Sequence, residues 1–305
     1  MKTIAILGAT SEIARDLIRG WSADAPLALY SRRPETVSAW LESEGLPPFR
    51  SLGHEDFPDG AHDAVLNFVG SGDPARTVAM GAEILDITQR FDTLVLDYLK
   101  LHPQTRYIFL SSGAAYGATF LAPASAATQA KFPVNALTPQ DYYGIAKLHA
   151  EARHRAMPNH AIIDIRVFAY FSRHSDIAKR FFVTDMLRAI RDGKEFETGA
   201  ATMRRDFIAP RDFQALVAAA LDGESRNIAI DTYSRAPVEK FALLDAMRDT
   251  FDLRYRIVEQ PALMIATGAK PEYYSTHRAA AALGYQPLQT ALESVLEESS
   301  ALLGR

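Results

Sequence analysis

The sequence predicts an α/β fold: a Rossmann-like, doubly wound parallel sheet joined to a smaller C-terminal α/β substrate lobe. Three observations predict it. Apolar runs rich in β-branched residues, such as Thr3–Leu7 and Ile162–Val167, have the look of strands buried on both faces. Apolar residues at helical spacing fill the segments between them. The two patterns alternate as far as Val167, as a parallel sheet with helical crossovers requires, and the alternation then fades.

Thr3–Leu7 opens the chain, Gly8 breaks the run, and Ile13, Leu17 and Ile18 recur at helical spacing through Ser11–Gly20. A strand at Leu27–Tyr30, a helix around Glu35–Glu44, a weak strand at Phe49–Leu52 and a clear one at Ala64–Val69 follow. A long helix, Ile84–Leu101, leads into the strand Tyr107–Leu110, and the helix Tyr143–Met157 precedes Ile162–Val167. Between them, Ala118–Gln140 is rich in Ala, Pro, Ser and Thr and reads as a long loop of the kind that serves a pocket. Farther on, the pattern gives helices at Phe181–Arg191, Phe213–Leu221, Val238–Phe251 and from Leu288, with short strands at Phe207–Ile208 and Asn227–Ile230. The expected division is a dinucleotide-binding unit over residues 1–168, to which about 206–232 returns, and a substrate lobe from 169–205 and 233–305.

The 305 residues amount to roughly two domains of average size. With 33 Lys and Arg against 37 Asp and Glu, the net charge of -4 lacks the electrostatic footprint of a nucleic-acid binder. The absence of cysteine excludes disulfides, thiolate metal sites and a Cys nucleophile, and it fits a reducing, cytoplasmic location. The apolar run before Gly8 is too short for a signal-peptide core, and no stretch approaches the ~20 apolar residues of a membrane span. No membrane partner is expected.

Gly8-Ala9-Thr10-Ser11-Glu12-Ile13-Ala14 puts small residues where a dinucleotide fold needs a tight turn, close approach to a pyrophosphate and close helix packing. The Ser11 hydroxyl and the N–H groups of the helix start suit a phosphate; a plain strand-to-helix turn with a serine N-cap would use the same residues. Ser31-Arg32-Arg33 follows the second strand, with no carboxylate for a ribose 2′-hydroxyl and two cations suited to a 2′-phosphate. This favours NADP(H) and admits NAD(H), the alternative being an exposed basic loop.

Tyr143 and Lys147 stand four residues apart, on one helical face, where an ammonium would favour the phenolate. Ser112 follows the strand Tyr107–Leu110, at the carboxyl edge along which open α/β sheets bind ligands, although a turn serine bonding its own backbone reads the same locally. His149 and His154 are five apart rather than four, so no metal site is expected.

Taken together, GATSEIA, LNFVG, FLSSGAAYG, YYGIAK, RRDFIAPRD and LGYQPL, in this order, resemble the extended short-chain dehydrogenases/reductases of the nucleotide-sugar epimerase, dehydratase and reductase group. The resemblance implies that Tyr143 is the acid/base, that Lys147 anchors the nicotinamide ribose and polarises Tyr143, and that Ser112 orients the reacting sugar oxygen. It implies that Phe68, Val69 and Gly70 line the cofactor site. It also implies that Arg205 grips a substrate diphosphate, with Lys270 as a second phosphate contact; a surface ion pair with Asp206 or Asp212 is the other reading of Arg205.

Departures from the family pattern carry information. Gly113-Ala114 stand where dehydratases carry an Asp-Glu pair, which disfavours dehydration. Ala169 replaces an asparagine that holds substrate, so Arg173 or His174 is expected to take part of that role, an exposed loop histidine being the plainer reading of His174. The expectation is an NADP(H)-dependent ketoreductase or epimerase acting on a nucleotide-diphosphate sugar, in an assembly that admits a homodimer. The alternatives are an oxidoreductase of the same fold with a non-nucleotide substrate and a non-catalytic NAD(P) sensor.

Overall fold

The computed structural model describes residues 2–21, 25–259 and 270–305. Seven parallel strands form the main sheet: β1 (Ile4–Leu7), β2 (Leu27–Ser31), β3 (Arg50–Gly53), β4 (Ala64–Asn67), β5 (Arg106–Ser112), β6 (Ile162–Val167) and β7 (Ile228–Asp231). Their spatial order is β7-β6-β5-β4-β1-β2-β3. The order reverses between β1 and β4, and in such a sheet the crevice beyond the carboxyl ends at that reversal is the ligand site.

The strands read as apolar runs because both faces are covered. Helices α1 (Glu12–Arg19) and α2 (Pro34–Ser43), with α7 (Pro210–Asp222), cover one face, packing Leu17, Val37 and Phe213 against Ile6, Leu29 and Ile108. On the other face α4 (Glu83–Leu101) and α5 (Pro139–Arg155) bury Val95, Leu99 and Ala150 against Leu7, Val65 and Phe109. The short helix α3 (Pro74–Met80) precedes α4. A separate core of Val183, Met186, Phe196, Leu243, Met247 and Val295 joins α6 (Phe182–Arg191), α8 (Lys240–Phe251) and α9 (Ala291–Leu303). Arg204–Arg205 lies between Val238–Glu239 and Glu272–Tyr273 in a small three-stranded patch.

Several boundaries differ from the sequence expectation: the strand from Ala64 ends at Asn67 rather than Val69, the helix expected from Phe213 starts at Pro210, the last helix starts at Ala291 rather than Leu288, and three further differences have a visible cause. Helix α5 begins at Pro139, not Tyr143, because Thr138 and Asp141 form a capping box with proline in the first turn. Strand β5 continues through Ser112, whose pairing with Val167 carries the ladder to the sheet edge. The expected helix from Val238 starts only at Lys240, since Val238 and Glu239 pair with Arg205 and Arg204. Among the described residues no helix is long and apolar enough to cross a membrane.

Candidate active site

The carboxyl edge of the sheet is built by turns that only particular residues allow. Gly8 has φ +76°, and a Cβ there would lie 2.9 Å from the backbone of Phe68 and Val69. The turns after β1 and β4 therefore touch through bare backbone. Ser11 caps α1, its hydroxyl accepting from the Ala14 N–H at 3.3 Å and its carbonyl from the Arg15 N–H at 2.9 Å, so the Glu12 and Ile13 N–H groups at the helix start are those that could serve an anion as a cradle. Thr10 is exposed and Ile13 half-buried. The Glu12 carboxylate is turned to the segment after β6, accepting from Ser175 at 2.6 Å and from Lys179 at 2.5 Å. Only its backbone remains for a phosphate. Ser31 is buried and accepts from the Arg33 N–H at 3.3 Å, whereas Arg32 and Arg33 are exposed and form no salt bridge among the described residues. These features fit a dinucleotide: a glycine turn, an open helix start and two uncommitted cations at the end of β2.

Beside this cradle Ser112, Tyr143 and Lys147 come together. Lys147 is 3% exposed, donates to the Leu110 carbonyl at 2.7 Å, and has its Nζ 5.7 Å from the Tyr143 ring centroid. A Cβ on Gly70 would lie 3.8 Å from that nitrogen, so the ammonium borders the turn after β4. Ser112 accepts from the Ala114 N–H at 3.2 Å, as a turn serine does, and its hydroxyl also interacts with the Tyr143 phenol. Between Tyr143 and Lys147, Gly144 lets α5 press against the turn after β5; a Cβ there would lie 2.4 Å from the Ala114 carbonyl oxygen.

Burial sets the electrostatics. It pushes the Tyr143 phenol up to about 12, with the Ser112 hydroxyl pulling the other way. It pushes the Lys147 ammonium down to about 8, against the opposing pull of Asp92, Glu151 and Asp164. The sequence expectation that Lys147 favours the phenolate and moves Tyr143 toward a usable range is not met in this structure: desolvation dominates and moves the phenol the other way.

A second phenol reaches the same serine, one that the sequence reading did not single out. Tyr273 interacts with the Ser112 hydroxyl, and Phe120 and Phe168 pack around its ring at centroid distances of 4.7 and 5.2 Å. On that ring lie Arg205, at 5.7 Å, and Lys270, at 4.8 Å. Arg205 forms no ion pair with Asp206 or Asp212; it donates to the carbonyls of Arg204 at 2.8 Å and Pro271 at 3.4 Å. Burial pushes it down to about 10, and both burial and Arg205 lower Lys270. Two cations thus sit together, largely desolvated and, among the described residues, without a bonded carboxylate, one ring away from Ser112.

The structure does not bring Arg173 or His174 to this place. Arg173 is held by Glu298 through a two-pronged bond at 2.9 and 2.6 Å, because α9 packs against its loop. His174 is exposed, its side chain acting on Asp16 and Glu44 beside α1 and α2. Beneath the site, the buried Glu151 pairs with the half-buried Arg166, and the pair also engages Ser111, Tyr116 and Asp231. Among the described residues no group of three or more His, Asp or Glu is placed to hold a metal ion.

The model of the NAD dependent epimerase/dehydratase family matches residues 50–232, more than half of the chain. The chain belongs to this family. No curated protein sequence matches it. Among solved structures, this family member is similar to UDP-glucose 4-epimerase from Bifidobacterium longum, solved with NAD+ and UDP, at 19% identity and a TM-score of 0.73 over 99% of this chain and 98% of that one. It is similar to UDP-N-acetylglucosamine 4-epimerase from Methanobrevibacter ruminantium M1, at 15% identity and a TM-score of 0.78 over 99% and 98%. It is also similar to RMD from Pseudomonas aeruginosa, solved with NADPH, at 18% identity and a TM-score of 0.74 over the full length of both chains. The resemblance to the extended short-chain dehydrogenases/reductases and the Rossmann-like fold are thereby borne out.

Proposed function

We propose that this epimerase/dehydratase family member is an NADP(H)-dependent oxidoreductase acting on a nucleotide-linked sugar, as a ketoreductase or as an epimerase that oxidises and re-reduces one carbon. The observation that carries the reading is the convergence of Ser112, Tyr143 and Lys147 between a dinucleotide cradle and the Arg205–Lys270 cation pair. The cofactor supplies hydride chemistry when bound. In this reading Gly8, Thr10, Ser11, Glu12 and Ile13 hold its pyrophosphate through backbone and hydroxyl groups, and Phe68, Val69 and Gly70 wall its nicotinamide half. Ser112 orients the reacting oxygen, Tyr143 moves its proton, and Lys147 anchors the ribose and stabilises charge on the phenol. A neutral Tyr143 is the form that donates a proton in ketone reduction, and the Arg32–Arg33 doublet, suited to NADP(H), tilts the reading toward the reductase.

Further support comes from the compared structures, one solved with NAD+ and UDP and one with NADPH. The reading includes a cytoplasmic location, which a chain without cysteine fits, and a homodimer. Incubation with nucleotide sugars and their 4-keto derivatives, with and without NADPH, followed by mass spectrometry, tests it: conversion of none of them overturns it.

Two predictions attach to this reading. NADPH should bind more tightly than NADH by roughly 10- to 150-fold, about 1.5–3 kcal/mol, because the 2′-phosphate meets Arg32 and Arg33 at a screened surface. Added salt should weaken the preference, and R32A/R33A should erase it; equal dissociation constants in the wild type would make the arginines surface charges and favour a redox-neutral epimerase. Arg205→Ala should raise KM for a nucleotide-diphosphate sugar roughly 10-fold or more while leaving NADPH affinity nearly unchanged. An unchanged KM would favour the second reading, a non-nucleotide substrate, for which Ala169 and the aromatic walls Phe120, Phe168 and Tyr273 speak.

A further inference from the structure

The site reading gives no role to the most completely buried charged cluster in the sheet. His154, on α5 two turns beyond Lys147, is fully buried, as are Asp92 on α4 and Asp164 on β6. Its Nδ1 lies 2.6 Å from Asp164 Oδ1 and its Nε2 lies 2.7 Å from Asp92 Oδ1. Ionised carboxylates only accept, so both ring nitrogens donate and the ring is an imidazolium. Burial opposes that charge, but the two carboxylates outweigh it and push His154 up to about 9. Arg153 donates to the other oxygen of Asp92 at 2.7 Å, and Arg155 to the other oxygen of Asp164 at 2.8 Å.

The cluster does not end there. Tyr107, on β5, donates to Asp92 Oδ1 at 3.1 Å and accepts from Asn67 Nδ2 at 3.0 Å, and Asn67 Oδ1 accepts from the Val69 N–H at 3.0 Å. Asn67 is the last residue of β4, and the Val69 nitrogen is one of the atoms against which Gly8 packs without a side chain. A chain of hydrogen bonds thus runs from the buried imidazolium to the backbone wall of the dinucleotide cradle. Each member is committed at both ends: Tyr107 cannot swing without unsatisfying Asp92 or Asn67, and a buried polar group left unpaired is costly.

We propose that His154 is a positioning residue for the dinucleotide site: clamped between Asp92 and Asp164, it fixes through Asp92, Tyr107 and Asn67 the Val69 amide and with it the Phe68–Gly70 wall. The proposal rests on the reading of that cradle as a dinucleotide site. It gives a role to three charges kept in a core that apolar residues could fill, a buried ion cluster being by itself weak evidence for stability.

The test breaks the chain at its mildest link in the full-length protein. Tyr107→Phe removes one hydroxyl and keeps the ring. It should speed amide hydrogen exchange at Val69 while leaving exchange at Ile6 in β1 unchanged. It should also raise the dissociation constant for NADPH about 3- to 10-fold, with kcat at saturating cofactor within about twofold of the wild type. His154→Gln should move the same quantities further, and H154Q/D92N, which removes the cation with one of its carboxylates, should restore part of the loss. A purely stabilising cluster would lower Tm and leave the Val69 exchange ratio and the NADPH affinity where they were, which would overturn the proposal. If His154→Gln does not fold, Tyr107→Phe decides alone. If the wild type binds no dinucleotide, the site reading fails separately, and the proposal in its dinucleotide form falls with it, whatever the exchange at Val69 shows.

Discussion

Tyr143→Phe should lower kcat by 10²- to 10⁴-fold, about 2.7–5.5 kcal/mol of barrier, while the fold and NADPH affinity stay close to those of the wild type. The hydroxyl is the only group removed, and its neighbour in the site, Ser112, keeps its bond from the Ala114 N–H. Tyr273 sharpens the test. It is a second buried phenol acting on the same serine hydroxyl, raised like Tyr143 by burial. If Tyr143→Phe retains wild-type turnover and Tyr273→Phe loses it, the proton path runs through Tyr273 and the assignment of Tyr143 is wrong. Steady-state turnover of the two variants on one converted substrate separates these outcomes.

Lys147→Met should be comparably severe and should differ in kind, lowering kcat by about 10²-fold or more and weakening NADPH as well, since one ammonium is assigned both the ribose and the phenol. The pH profile supplies a second readout. Lys147 titrates near 8 in the fold against 10.5 for a free lysine, so it loses its charge as pH rises through about 8. Activity that depends on the ammonium should fall above that pH, and the falling limb should be missing from the residual activity of the variant. For stability the sign is opposite: between about 8 and 10.5 the unfolded chain binds more protons than the folded one at this residue, so its contribution to stability rises with pH across that window. Thermal unfolding of wild type and variant at pH 7 and pH 10 should show the gap between them changing in that direction.

The parts of this molecule that were legible in the sequence are those whose cause is local. The apolar run of β1, the break at Gly8 and the helical spacing of Ile13, Leu17 and Ile18 each state their own structure. So does the four-residue step from Tyr143 to Lys147. The start of α5 was legible too, in Thr138, Pro139 and Asp141, but a loop rich in Ala, Pro, Ser and Thr drew the boundary past it. What could not be read is what depends on distant partners. Arg173 looked free to meet substrate because Glu298 is 125 residues away. Tyr273 reaches Ser112 only because two-residue strands at Arg204–Arg205 and Glu272–Tyr273 pair, and strands that short have no period to detect. In the sequence His154 reads only as a candidate metal ligand, for its Asp92 partner lies 62 residues back on another helix.

Gly144 shows where this architecture tolerates least. The two groups on either side of it in the proposed chemistry, Tyr143 and Lys147, ride on a helix whose height above the sheet is set by contact between that glycine and the Ala114 carbonyl. A single methyl would lift the helix by the better part of an ångström, a displacement that a packed core absorbs at modest energetic cost but that reaction geometry does not. Of the aromatic walls, Tyr273 stands on the separate small sheet, whereas Phe168 directly follows β6 and its ring lies against Gly113, in the same turn that Gly144 meets. That turn is thus pinched from two sides, by a bare helix backbone at Ala114 and by an aromatic ring at Gly113, and bulk added at either glycine would push against the step from Ser112 to Tyr143.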